Sequence, residues 1–140
     1  MSINATPDQI FRYLVDPQLM VRWMGNYAVL DAVPGGTFHI DINGVPLRGS
    51  YLEVAPPDRL VVSWGMADSE IVPPGSSTVE FALSSNGEAT VVVVTHRGLP
   101  PDQVDQHQIG WTHFLERLAV AGTGQDAGQD PWADLETDTT

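Results

Sequence analysis

The stretch DQVDQHQIGWTHFLERLAV, residues 102–120, contains the one long helical pattern in the chain. Its apolar and aromatic side chains recur at intervals of three and four residues, which predicts an amphipathic helix with one buried face. These side chains are Val104, His107, Trp111, Phe114 and Leu118. The intervening polar residues, among them Gln106, are assigned to the solvent face. Asp102 is placed to cap the start of the helix, and Gly122 is placed to end it.

Six strand-like runs precede this helix and are separated by turn signals at the spacing of an antiparallel meander. The runs are residues 27–32, 37–42, 47–54, 59–66, 78–83 and 89–96. Two short helices are predicted before them, because Thr6-Pro7 and Asp16-Pro17 each combine a capping residue with a proline suited to the first helical turn. Residues 1–4 leave room for at most a short strand.

One helix covers six strands only if the sheet curls around it. We therefore predict an α+β fold in which a curved antiparallel sheet of about six to seven strands wraps around the long C-terminal helix, with an apolar space between them. Residues 1–121 are predicted to form a single domain. Residues 122–140 are predicted to form an acidic, disordered tail, in which Trp132 and Leu135 could serve as a short docking motif.

The composition excludes several kinds of chemistry. The chain has no cysteine, and therefore no disulfide, thiolate nucleophile or thiolate metal ligand. It also has no lysine, which excludes a lysine Schiff base and the lysine of a phosphate-binding P-loop. The histidines and acids do not follow a metal-binding spacing such as HExxH. We therefore expect neither a metal site nor another cofactor.

The charge and the hydropathy pattern narrow the possible partners. A formal net charge of −12 argues against binding to nucleic acid phosphates and to anionic membranes. No apolar run approaches the roughly 20 residues that cross a bilayer, and the start MSINATPDQ lacks the basic and apolar parts of a signal peptide. We expect a cytoplasmic protein without membrane insertion.

Several short motifs follow one another from Ala5 to Leu118. They are Ala5-Thr6-Pro7 with Phe11 and Leu14, Asp16-Pro17 with Trp23, Pro34-Gly35-Gly36-Thr37-Phe38, residues 49–61 ending in Pro56-Pro57-Asp58-Arg59-Leu60-Val61, Trp64, residues 90–99, and Gly110-Trp111 with Leu115 and Leu118. In this order the motifs resemble the SRPBCC (START-like, helix-grip) superfamily and, within it, the domain named after the activator of the heat-shock-90 chaperone ATPase. The resemblance implies a helix-grip fold with a deep apolar cavity between the sheet and the long helix. It does not imply one chemistry, because the superfamily includes carriers, cyclases and cochaperone domains.

The candidate ligand-binding residues are those that strand alternation and the helical face direct inward, together with the segment after the second helix. They are Trp23, Met24, Tyr27, Phe38, Ile40, Tyr51, Glu53, Trp64, Met66, Phe81, His96, His107, Trp111 and Phe114. Large aromatic and methionine side chains near strand ends favour a cavity mouth, although most of the residues in this set are expected simply to fill the core. Trp23, Met24 and Tyr27 are candidates for a lid, or for ordinary packing at a corner.

Four polar residues in this set have two interpretations each. A neutral ring of His96 or His107 could hydrogen-bond a ligand carbonyl or act as an acid or base, or it could be a core histidine satisfied by a neighbour. Tyr51 and Glu53 are expected on the same strand face. Glu53 would be a buried carboxylate opposite an arginine, or a base with a raised pKa. No catalytic residue is assigned.

Three functions remain open at this point. The first is binding of a small hydrophobic ligand, which is lipid-like, aromatic or polyketide-like, without catalysis. The second is a cyclase or dehydratase that uses Glu53 or a histidine in the same cavity. The third, implied by the resemblance, is a cochaperone-type interaction domain with a chaperone as its partner and a role in the stress response.

Overall fold

A computed structural model of the protein describes residues 1–131. A short strand and two short helices come first, then six strands, then a helical turn at Pro101–Gln103 and the long helix. The elements are β1 (Ser2–Ile3), α1 (Pro7–Val15), α2 (Pro17–Met20), β2 (Tyr27–Leu30), β3 (Thr37–Ile42), β4 (Val45–Ala55), β5 (Arg59–Trp64), β6 (Ser77–Asn86), β7 (Ala89–Arg97) and α3 (Val104–Ala121). Among the described residues, no helix is long and apolar enough to span a membrane.

The strands form one seven-stranded antiparallel sheet in the order β1-β7-β6-β5-β4-β3-β2. Consecutive strands from β2 to β7 are therefore neighbours, as a meander requires. The β3–β4 turn places both Asn43 and Gly44 at positive φ, which is the conformation that an Asn-Gly hairpin favours. The predicted α+β, helix-grip fold is confirmed, including the short first strand and the two N-terminal helices.

The N-terminal helices begin where the capping residues predict. The Thr6 hydroxyl accepts a hydrogen bond from the Gln9 amide, and the Gln9 side chain accepts one from the Thr6 amide. The Asp16 carboxylate accepts from the amides of Gln18 and Leu19 at the start of α2. Helix α2 ends at Met20.

Helix α3 packs on the concave face of the sheet, but its start differs from the prediction. Asp102 lies in the preceding 3-10 turn, and the cap position belongs to Gln103, whose side chain makes no capping bond. Val104 is 46% exposed although it lies seven residues before Trp111, and hence on the same helical face. Its exposure therefore follows from its position at the end of the helix. The predicted end is confirmed, since the Gly122 amide bonds to the Leu118 carbonyl at 2.7 Å.

The core fills most of the space between α3, the N-terminal helices and the sheet. From α3 it receives Trp111, Phe114, Leu118 and Ala121. The largest fully buried side chains are Trp23, Tyr51, Phe38, Phe81, Ile3, Ile10, Leu14, Met20, Met24, Ile40, Leu47 and Leu60. In proteins, most of the stability of a helix comes from the packing of its buried face rather than from its intrinsic propensity. The burial of these side chains therefore holds α3 in place.

Strand β4 contains two irregularities. At Gly49, a Cβ atom would lie 1.9 Å from the carbonyl oxygen of Ser63, so the two strands approach more closely than a side chain permits. The Ser63 hydroxyl accepts a hydrogen bond from the Ser50 amide at 2.8 Å at the same point. A β-bulge follows between Tyr51 and Glu53. Bulges bend a strand and increase its twist, which is consistent with a sheet that curls around α3.

Gly49→Ala is expected to lower the free energy of unfolding by at least about 2 kcal/mol, because the added methyl group collides with backbone rather than with a flexible side chain. Gly110→Ala is the matched control, since a Cβ there meets nothing within 4 Å. Replacing this helical glycine should raise the free energy of unfolding by roughly 0.5–1 kcal/mol. Urea unfolding of both variants checks the pair. Wild-type stability in Gly49→Ala would contradict the close approach of β4 and β5.

Candidate functional site

A cavity of about 480 Å³ lies between the first half of α3 and one end of the sheet. Its walls come from the segment after α2, the β3–β4 hairpin, the end of β5 with the loop after it, and α3. The lining residues are Met24, Ile42, Asn43, Val45, Trp64, Met66, Ser69, Val72, Gln103, Gln106, His107, Gly110, Trp111 and Phe114. The volume falls within the range of small-molecule sites, and the lining is mainly aliphatic, aromatic and thioether.

The α3 wall of the cavity follows helical periodicity. Its residues are spaced by three or one along the chain, which places them in one stripe. They are Gln103, Gln106, His107, Gly110, Trp111 and Phe114. Sequence reasoning identified the histidine and the two aromatic residues but missed the other three. Gln106, assigned to solvent, is exposed and also lines the rim, and helical phase alone would have indicated Gly110 as the position that leaves room.

Aromatic contacts join the cavity to the core. The ring of Trp111 packs 5.0 Å from that of Trp64 and 5.6 Å, edge-on, from that of Phe81. Trp64 in turn contacts Phe38, with ring centroids 6.2 Å apart. Such pairs add specific geometry to their apolar burial. Trp64 and Trp111 are therefore held by the core on one side and face the cavity on the other.

His96 belongs to a continuous chain of hydrogen bonds beside the cavity. The indole N–H of Trp111 donates to Nδ1 of His96 at 3.1 Å. Nε2 of His96 lies 2.9 Å from the Ser77 hydroxyl, which donates to the Trp64 carbonyl at 2.9 Å. Since Nδ1 accepts, the neutral ring carries its proton on Nε2 and donates it to Ser77. Both ring nitrogens of His96 are thus used within the protein.

Burial and, to a smaller extent, the neighbouring His107 lower the pKa of His96 from its ordinary value of 6.5 to about 4. The hydrogen bonds agree with this shift, because a protonated Nδ1 would oppose the indole N–H of Trp111. Of the two interpretations given for His96, its contacts therefore agree with the one in which neighbouring residues satisfy the ring.

His107 has a different environment. Its Nδ1 lies 2.9 Å from the Gln103 carbonyl, which can only accept, so Nδ1 carries a proton. Its ring packs edge-on against His96, with centroids 5.2 Å apart. Two contacts therefore hold the orientation of the ring. Nε2 has no hydrogen-bond partner among the described residues, and the side chain lines the cavity.

Trp64 carries a second polar atom without a partner. Its Nε1 is buried and makes no hydrogen bond within residues 1–131, and the side chain is only 4% exposed. A buried donor of this kind costs roughly 1–3 kcal/mol when it is left unpaired.

Four of the predicted ligand-binding residues lie in the filled core instead of the cavity wall. Phe38, Ile40, Tyr51 and Phe81 are completely buried. The hydroxyl of Tyr51 donates to the Leu14 carbonyl at 3.1 Å. Burial raises the pKa of this phenol, and the charge of Asp31 adds to the effect. The pattern of alternation identified the inward face correctly but does not distinguish the packed end of that face from its open end.

The predicted lid segment divides into three different environments. Trp23 is completely buried, and its indole N–H donates to the Tyr13 carbonyl at 2.9 Å. Met24 lines the cavity. Tyr27 is 61% exposed at the start of the edge strand β2. Trp23 therefore packs at a corner of the fold, as one of the two interpretations expected. Of the three residues, only Met24 contributes to the cavity wall.

Glu53 does not share a face with Tyr51, so that prediction is wrong. The bulge inserts Leu52 as an extra residue, and Glu53 pairs with Val61 whereas Tyr51 pairs with Val62. One inserted residue turns the following side chain to the opposite face. Glu53 is half-exposed on the outer face of the sheet, where it pairs with Arg59 at 2.8 Å. An arginine partner was expected, but the carboxylate is not buried.

The first part of the predicted tail packs back on the domain. Arg117 donates to the Trp23 carbonyl at 3.1 Å and to the Gly128 carbonyl at 2.9 Å. Asp130 lies 2.8 Å from His113 of α3 and accepts a hydrogen bond from Asn43 of the cavity lining. The docking motif proposed for the tail, Trp132 with Leu135, lies outside the described residues. Within residues 1–131, no group of three or more acids and histidines is close enough to hold a metal ion.

A sheet that grips its C-terminal helix and leaves an apolar chamber beneath it defines a protein of the helix-grip class. Residues 4–122 match the family described as "Activator of Hsp90 ATPase homolog 1-like protein". The chain belongs to this family, as its motifs implied.

The chain is similar to three proteins of different descriptions. The human activator of 90 kDa heat shock protein ATPase homolog 1 is 24% identical over 110 residues, which are 79% of this chain and 31% of the human one. An AHSA1-like protein of Rhizobium etli is 40% identical with a TM-score of 0.75, over 94% of this chain and 84% of that chain. A protein from the dynemicin biosynthetic locus is 28% identical with a TM-score of 0.78, over 93% of this chain and 48% of that chain. The chain therefore spans less than half the length of the first and the last.

The His96 network makes stability depend on pH. In the unfolded chain the imidazole takes up a proton near pH 6.5, whereas in the folded protein it does so near pH 4. The unfolded state thus binds more protons between these pH values. The contribution of His96 to the free energy of unfolding is therefore complete above pH 6.5 and is lost as the pH falls towards 4.

His96→Gln should remove this contribution, because an amide can accept and donate without titrating. Between pH 7 and pH 4.5, the wild type is expected to lose on the order of 1 kcal/mol more than the variant, because the partly exposed ring is screened by solvent. Urea unfolding at both pH values measures the difference. Parallel pH profiles for the two proteins would show that His96 is not held neutral.

Proposed function

We propose that the protein binds a small hydrophobic molecule in the cavity beneath the first half of α3. The observation that carries the proposal is the cavity itself, about 480 Å³ in volume and walled by Trp64, Trp111, Phe114 and two methionines. Methionine side chains adapt to irregular apolar shapes, and aromatic rings supply large contact areas. The class of ligand includes lipid-like, aromatic and polyketide-like molecules.

Apolar burial can supply the affinity. At about 25 cal/mol per Å², enclosing roughly 200 Å² of ligand surface contributes about 5 kcal/mol. Part of this is offset by the loss of translational and rotational freedom. Polar atoms at the rim and wall would then determine the orientation of the ligand rather than most of its affinity.

The composition of the lining favours binding over catalysis. An acid–base enzyme of the cyclase or dehydratase type needs two titratable groups in the cavity, with pKa values pushed apart. The described lining contains one titratable side chain, His107. His96 is engaged on both nitrogens, and Glu53 lies on the opposite face of the sheet. The relative from the dynemicin biosynthetic locus also fits a role with small molecules.

Gly110 provides a direct test, because it lines the cavity and a side chain there meets open space. N-phenyl-1-naphthylamine, whose fluorescence rises in apolar surroundings, serves as the probe. Gly110→Phe is expected to weaken probe binding at least about tenfold, a loss of about 1.4 kcal/mol, because the new ring occupies the cavity. Gly110→Ala should change the affinity much less. Neither variant should lower the melting temperature, since both remove a glycine from a helix.

Gln108→Phe is the matched control, because it adds the same ring to the exposed side of the same helix. It should leave probe binding unchanged. The proposal would be rejected if wild type binds no probe, or if Gly110→Phe binds it as tightly as wild type while remaining folded.

A second candidate is interaction with a chaperone of the Hsp90 class, which the family description and the human relative support. The outer face of the sheet offers a surface for it. Leu52 and Val93 are about half-exposed there, near the ion pairs that Arg59 forms with Glu53 and Glu80. Titration of purified Hsp90 with wild type and with Val93→Glu tests this. Weaker binding by Val93→Glu but not by Gly110→Phe would support a chaperone surface separate from the cavity.

A further inference from the structure

We propose that the ligand is an uncharged aromatic molecule with a hydroxyl group, and that this hydroxyl donates a hydrogen bond to Nε2 of His107. The inference rests on the proposed function and names the ligand class for the same cavity. It is carried by the charge of the lining, by the orientation of the His107 ring and by the amide side chains of the lining.

The charge of the lining excludes an ionised ligand group inside the cavity. None of the described lining residues is an aspartate, glutamate, lysine or arginine. A carboxylate or sulfonate that leaves water without a partner cation carries a large desolvation penalty. The net charge of −12 adds a repulsion that also acts at a distance. A neutral ligand avoids both effects.

His107 supplies an acceptor that is already oriented. The proton on Nδ1 is committed to the Gln103 carbonyl, so the neutral ring presents a lone pair on Nε2. Contact with His96 limits rotation of the ring. An acceptor that is held in place loses little conformational freedom when a ligand donates to it. His96 offers no such site, because both of its nitrogens are bonded within the protein.

A hydroxyl suits the cavity better than an N–H donor. The oxygen of a hydroxyl that donates to His107 keeps its lone pairs and can accept a hydrogen bond as well. The lining includes the side-chain amides of Asn43 and Gln106, which can donate to such an oxygen. A phenol-like group therefore matches the acceptor on His107 and these amide donors, while the rings of Trp111 and Phe114 contact its aromatic part.

Three naphthalenes that differ in one substituent test the inference: 2-naphthol, 2-methoxynaphthalene and 2-naphthalenesulfonate. Titration calorimetry on wild type should give an affinity for the sulfonate at least about tenfold below that for the naphthol, which corresponds to about 1.4 kcal/mol. The methyl ether keeps the ring and the oxygen but removes the donor. The ratio of naphthol to ether affinity should fall about five- to tenfold in His107→Phe, the effect of one hydrogen bond.

His39→Phe is the matched control, because His39 lies on β3 outside the cavity lining, and the affinity ratio should not change. If His107→Phe does not fold, His107→Leu replaces it. Equal binding of the sulfonate and the naphthol, or an unchanged ratio in the His107 variant, would overturn the inference and leave the proposed function intact. Absence of binding for all three naphthalenes and for N-phenyl-1-naphthylamine would reject both.

Discussion

The packing of Trp111 against the sheet is the interaction on which the remaining structure depends. Its ring contacts Phe81 and Trp64, and its indole N–H is bonded to His96. One side chain thereby ties α3 to β5, β6 and β7. On one side of it the interior is filled, and on the other side lies the cavity. The position of this ring sets how much space remains beneath the helix.

The curvature of the sheet is the second constraint, and it is a property of the backbone. The close approach of Gly49 to Ser63 and the bulge after Tyr51 both lie in β4, which pairs with β5 on one side and with β3 on the other. A flat sheet would leave α3 in contact with only its central strands. Because β4 bends, the β3–β4 hairpin can reach the rim of the cavity and supply Asn43.

His96 and His107 are in ring contact but differ in the hydrogen bonding of their ring nitrogens. His96 is enclosed in a chain of donors and acceptors that links Trp111 to the backbone of β5. His107 uses one nitrogen on the carbonyl of Gln103 at the start of its helix, and the other has no partner among the described residues. The difference follows from the elements that surround each ring. His96 lies at the end of β7 beneath α3, whereas His107 lies one turn before Trp111, at the cavity wall.

The sequence by itself determined the order of the elements, the meander, the two capped N-terminal helices and the inward face of the regular strands. These features depend on local periodicity and turn chemistry, which neighbouring residues specify. The bulge at Leu52, the exposure of Val104 and the separation of the filled core from the cavity were decided only by tertiary structure. Alternation states which face a side chain is on, but whether that face meets another side chain or open space depends on the strands and helix opposite.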